Sequence, residues 1–76
     1  MTIADMPRGL GFTVVSVTVG KEIGKRLADM GFTQGAEGVV LRRGSFGGPL
    51  HIRLRGYDIL IRKSEAQAIE VEALPL

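Results

Sequence analysis

Cysteine and tryptophan are absent from the 76 residues. Disulfides and thiolate metal cages are therefore excluded, and one apolar core must hold the fold. A chain of this length buries roughly 60% of its unfolded surface, which makes that core marginal. Hydrophobic residues, at 45% of the sequence, are enough to build it. Aromatics are scarce, with only Phe12, Phe32, Phe46 and Tyr57. That scarcity works against a stacking platform for single-stranded nucleic acid and against an aromatic groove for Pro-rich peptides. No apolar run approaches the roughly 18 residues of a membrane span. The opening "MTIADMPRG" lacks the charged-then-apolar order of a secretory signal. These absences predict a single soluble, cytoplasmic domain over residues 1–76 that is not itself inserted in a membrane.

Histidine occurs once, as His51. Ser45, His51 and Asp58 could be assembled into a nucleophilic triad, but nothing in their spacing specifies one. The simpler reading of His51 is an exposed strand residue, so no enzymatic activity and no cofactor are expected. A metal site meets the same obstacle. His51 with Glu65 or Glu37 is a weak candidate set, far from a strong transition-metal cage. The loop "GSFGGP" has the glycines of a phosphate loop but not its G-x-x-x-x-G-K-[ST] pattern, and no helix follows it.

Net charge is only +2, yet it is unevenly spread. Residues 42–63 carry Arg42, Arg43, Arg53, Arg55, Arg62 and Lys63 against Asp58 alone, and the remainder is net acidic. Such asymmetry marks a face for a polyanion or an acidic partner. A phosphate-tracking ladder is one reading. The low overall charge and missing aromatics favour a solvated face, with Arg53 and Arg55 paired across the sheet to Glu70 and Glu72. No nucleic-acid partner is expected.

What is present is eleven glycines and three prolines punctuating short apolar runs. "FTVVSVTV" at 12–19 is β-branched, as strands are. In "KEIGKRLADMGF", Ile23, Leu27 and Met30 recur at helical spacing on one face, and Gly31 stands where a left-handed cap is wanted. "EGVVLRR" reads as a second strand. "LHIRLR" alternates, with Leu50, Ile52 and Leu54 inward and His51, Arg53 and Arg55 outward. "GYD" reads as the following turn and "ILIRK" as the next strand. "SEAQAI" forms a helical turn capped by Ser64. "AIEVEAL" closes the chain as a strand with Ile69 and Val71 inward. The expected fold is mainly β: a small, partly open barrel of about five strands, one short inserted helix and a short C-terminal helical turn. An open barrel edge could pair weakly with a second copy. Phe12 and Phe32 belong to the core. Phe46, at a Gly-rich loop tip, either folds over the barrel mouth or stands out as an anchor; general burial statistics favour the plug.

The signatures Arg26-Leu27-x-x-Met30-Gly31, Gly35, Gly47-x-Pro49, Gly56-Tyr57 and Arg62-Lys63-x-Glu65-Ala66, in that order, resemble the FeoA family of bacterial ferrous iron transport. The resemblance spans about residues 9–72. It implies an SH3-like barrel with an inserted helix and a non-enzymatic accessory role in iron homeostasis. The implied partner is FeoB, a membrane iron transporter with a cytosolic GTP-binding domain. Family members are often catalogued as binding transition-metal ions, which the donor set here supports weakly. Three positions depart from the pattern. Gly48 stands where Asp is common, and Ser45 and Phe46 replace a Pro or Ala and an aliphatic residue. The expected docking residues are Arg26, Met30, Phe32, Phe46, Pro49, Arg55 and Tyr57, with the Arg ladder steering the approach.

Overall fold

A computed structural model describes residues 1–18 and 20–75. Five antiparallel strands form one sheet: β1 (Gly11–Val17), β2 (Glu37–Arg43), β3 (Leu50–Leu54), β4 (Tyr57–Ile61) and β5 (Ile69–Ala73). Their spatial order is β4-β3-β2-β1-β5. Helix α1 (Lys21–Asp29) is inserted between β1 and β2, and the short α2 (Lys63–Gln67) between β4 and β5. The fold is thus the mainly β architecture expected. Register shifts between Val14 and Ser16 and between Val40 and Arg42 insert bulges, which bend strands and help a short sheet curl.

The alternation of β3 has its expected effect. Leu50, Ile52 and Leu54 are buried, and so are Phe12, Phe32, Ile69 and Val71. Helix α1 ends in a Schellman motif. The N–H of Phe32 donates to Leu27 O at 3.0 Å and that of Gly31 to Ala28 O at 2.9 Å. Gly31 takes φ +105°, which a side chain would resist. The motif brings Leu27 and Phe32 into one core cluster.

Four local expectations change. The β3–β4 turn is Arg55–Gly56, with φ 51° and 85°, so Tyr57 and Asp58 belong to β4 and Arg55 leaves the strand. Its backbone is held by Arg55 N–H donating to Glu37 O at 3.1 Å. Helix α2 is capped at Arg62, not Ser64: the Arg62 N–H donates to Glu65 Oε1 at 2.7 Å, and Ser64 sits inside the helix. The first strand runs over Gly11–Val17, and Val19 lies outside the described residues. The opening segment, read only as lacking a signal, is structural. A 3-10 turn over Ile3–Asp5 buries Ile3 and Met6 completely. Thr2 donates its N–H to Asp5 Oδ2 at 3.0 Å, and this bond is the first cause holding the Asp5 carboxyl below the usual range.

Candidate docking site

Three of the six cations in the Arg-rich stretch, Arg43, Arg53 and Arg55, are engaged from within. Arg43 donates to the carbonyls of Met6, at 2.5 Å, and Ala4, clamping the N-terminal turn to β2. Arg53 Nε donates to Asp58 Oδ1 at 2.8 Å, across the β3–β4 pair. That bond holds the Asp58 carboxyl below its ordinary range and raises the Arg53 guanidinium. Arg55 donates to the Thr33 hydroxyl at 3.0 Å. The expected pairing of Arg53 and Arg55 with Glu70 and Glu72 is therefore overturned. Two strands, β2 and β1, separate β3 from β5 in the sheet, and Glu70 instead receives the α-amine of Met1 at 3.3 Å. With Arg43, Arg53 and Arg55 fixed in place by partners within the chain, the ladder is a poor phosphate track.

His51 and Glu65 do not form a site together. His51 Nε2 lies 3.4 Å from Asp58 Oδ2, and Asp58 is already held by Arg53. Glu65 is buried in α2, where one oxygen accepts from Arg62 and the other meets the Arg26 guanidinium. Among the described residues no three His, Asp or Glu side chains gather around a common point. The donor set does not fit a resident transition metal.

The remaining candidates separate by position. Arg26 of α1 and Met30 at its C-cap, Pro49 before β3, and Glu65 of α2 surround an open groove of about 380 Å³. Its other wall is the end of β4, Leu60 and Ile61, with Arg62 beyond them. The Arg26 side chain is 55% exposed and reaches across the groove to the buried Glu65 carboxylate. Phe32 does not line this groove: it is 1% exposed and serves the core. Arg55 and Tyr57 lie at the hairpin turn, outside the groove lining. Phe46 is fully exposed at 108%, in the left-handed region at φ 54°. The plug reading is therefore wrong. A non-glycine residue there costs of order 1 kcal/mol, so the loop holds its one large apolar side chain outward at some expense. Leu60, exposed at 65%, was missed as a site residue. It falls on the outward face of β4 beside His51, a position where alternation expects a polar residue.

A family model described as the FeoA domain matches residues 1–73. The chain belongs to the FeoA family. Among solved structures, it resembles the FeoA protein of Chlorobium tepidum at 31% identity and a TM-score of 0.91, covering 99% of this chain and 71% of that one. An iron uptake regulatory protein (FeoA) matches at 30% identity and TM-score 0.89, over 97% of both chains. Stenotrophomonas maltophilia FeoA, solved with zinc and described as a prokaryotic SH3 domain protein, matches at 29% identity and TM-score 0.83, over 95% of this chain and 89% of that one. No curated protein matches the sequence. The FeoA assignment agrees with the SH3-like barrel and its inserted helix. No described helix of this FeoA-family chain is long and apolar enough to cross a membrane.

Proposed function

We propose that this protein is a non-enzymatic, cytoplasmic accessory factor of bacterial ferrous iron uptake that docks on the cytosolic GTP-binding part of a FeoB-type transporter. Family membership supports the iron-uptake role. The Stenotrophomonas maltophilia relative is itself described as a candidate ferrous iron transport activating factor. The observation that carries docking is the groove. Arg26 and Met30 from the end of α1 and Pro49 from before β3 meet there beside the exposed Leu60. An apolar floor with a basic rim suits a protein surface better than it suits a small metabolite or a phosphate chain. The test is a chemical-shift titration of the labelled protein with the soluble cytosolic domain of its cognate transporter. Shifts clustered on Arg26, Met30, Pro49 and Leu60 are expected. No shift anywhere at high concentration overturns the docking reading.

A metal-sensing role has one supporting observation, the zinc in the Stenotrophomonas maltophilia relative. A metal bound only by the folded state would raise the melting temperature. With no group of three His, Asp or Glu donors among the described residues, iron(II) or zinc is expected to leave it unchanged.

A further inference from the structure

The hairpin geometry says which way the backbone of β4 faces. Leu54 and Tyr57 close the two-residue Arg55–Gly56 turn and so form a hydrogen-bonded pair. Alternation along an antiparallel ladder makes Ile52–Ile59 and Leu50–Ile61 bonded pairs too. Asp58 and Leu60 are then in non-bonded pairs with β3, and their N–H and C=O groups point away from the sheet. Among the described residues no backbone group outside β3 pairs with β4. The strand lies at one end of the sheet order, so this edge is open.

Natural edges are usually blunted by lysine, proline, a bulge or a cover. None of these devices occurs within Tyr57–Ile61, and Leu60 stands there exposed. The groove runs beside the same edge, with Met30 and Ile61 in its lining. Its rim is basic: Glu65 is matched by Arg26, while the side chains of Arg62 and the adjacent Lys63 take part in no ion pair among the described residues. The one acid on the edge, Asp58, is matched by Arg53.

We infer that β4 receives an extended, acidic segment of the partner protein, which adds a sixth strand to the sheet through the outward backbone groups of Asp58 and Leu60. Alternate side chains of the added strand fall toward Met30 and Ile61 or beside Leu60, and its acidic residues meet Arg62 and Lys63. Main-chain bonds supply affinity in this mode, and the flanking pockets supply selectivity. The charge match commits the edge to an acidic occupant rather than a second copy, whose own β4 is flanked by Arg53, Arg55, Arg62 and Lys63 against Asp58 alone. This inference rests on the docking reading above and names the mode by which docking occurs.

Leu60→Pro is the direct test. A proline is tolerated on an edge strand where its nitrogen faces solvent, so the ladder to β3 survives. Leu60→Thr is the control: it keeps the N–H and removes the apolar bulk. With the soluble cytosolic domain of the transporter as probe, Leu60→Pro should weaken binding at least about tenfold more than Leu60→Thr, which loses the apolar contact but keeps the N–H. In the wild-type complex, amide exchange at Asp58 and Leu60 should slow by at least about tenfold. This second measurement needs no variant to fold. Unchanged affinity of Leu60→Pro with unchanged exchange overturns strand addition and leaves docking standing. No binding by the wild type removes the docking reading and this inference with it. If the protein alone sediments as a dimer that Leu60→Pro abolishes, the edge belongs to a second copy and the acidic-strand assignment is overturned.

Discussion

At β5 the outer edge of the sheet is occupied: Val71 donates its N–H to Met1 O at 2.8 Å, and Thr2 bridges Glu70. At β4, four strands away, the outer edge has no such cover among the described residues. The covered edge is sealed with apolar weight, because the segment that lies on it also buries Ile3 and Met6. The bare edge carries exposed Leu60 and a groove with a basic rim. In a domain with so little core to spare, the segment that closes one edge also supplies core. The edge left open costs nothing in core, because Ile59 and Ile61 pack inward regardless of what lies outside them. Stability thus rests on one end of the sheet, and the proposed recognition on the other.

The contrast can be broken most forcefully from the covered side. Ile3→Ala should cost about 2–4 kcal/mol, measured by chemical denaturation, since it empties a fully buried site. Val71→Pro should cost about 3 kcal/mol or more, because it removes the bond to Met1 O and shrinks a buried side chain. If either variant is as stable as wild type, the N-terminal segment is not the seal described. Next comes Glu65→Ala, at the groove. It removes the acceptor for Arg62 N–H but frees a half-exposed Arg26 that water can solvate, so a loss of about 1–2 kcal/mol is expected. The same proline placed on the other edge, as Leu60→Pro, should cost about 1 kcal/mol or less, since its N–H has no partner to lose. Equal destabilisation by Val71→Pro and Leu60→Pro would erase the distinction between the edges.

The smallest expected effect is acid sensitivity, and each edge holds one such group. Asp5 is lowered first by the Thr2 N–H bond and Asp58 first by the Arg53 bond. A carboxyl whose folded pKa lies below its unfolded value stabilises the fold above the unfolded pKa, about 3.9 for Asp. That contribution disappears as pH falls through the folded value. Asp5→Asn and Asp58→Asn should each flatten the acid limb of stability against pH, measured by thermal unfolding between pH 6 and about pH 2. An unchanged limb in either variant shows that its carboxylate has no favourable partner in solution.

The strands were legible because their alternation is strong: Leu50, Ile52 and Leu54 against His51 and Arg53 admit only one inward face. The Schellman end of α1 was legible from Gly31 and the apolar pair Leu27 and Phe32. The N-terminal cover was not. Ile3 and Met6 are only two apolar residues, too few for a periodic signal, and the available hint was the Thr2-x-x-Asp5 capping pattern. Partners of the Arg ladder were misassigned because they depend on strand order, which alternation does not encode. Arg53 meets Asp58 only because β4 neighbours β3. The hairpin was displaced because Arg-Gly is not a usual turn pair. Arg55 is kept in its left-handed conformation by tertiary bonds to Glu37 and Thr33. Of the candidate site, the sequence marked Arg26, Met30 and Pro49, and missed Leu60 because a single outward leucine leaves the strand pattern intact.

The clasp of Arg43 on Met6 and Ala4, together with the Met1–Val71 bond, also orders events in time. The first residues of this stretch to leave the ribosome are buried against β5, among the last. Ile3 and Met6 stay exposed until nearly all of it has been synthesised. Contacts of such long sequence separation slow folding and make it a single late event rather than a stepwise one. A nascent chain stalled before β5 should therefore be readily cut by protease near Ile3 and Met6, and a chain that includes β5 should resist cleavage there.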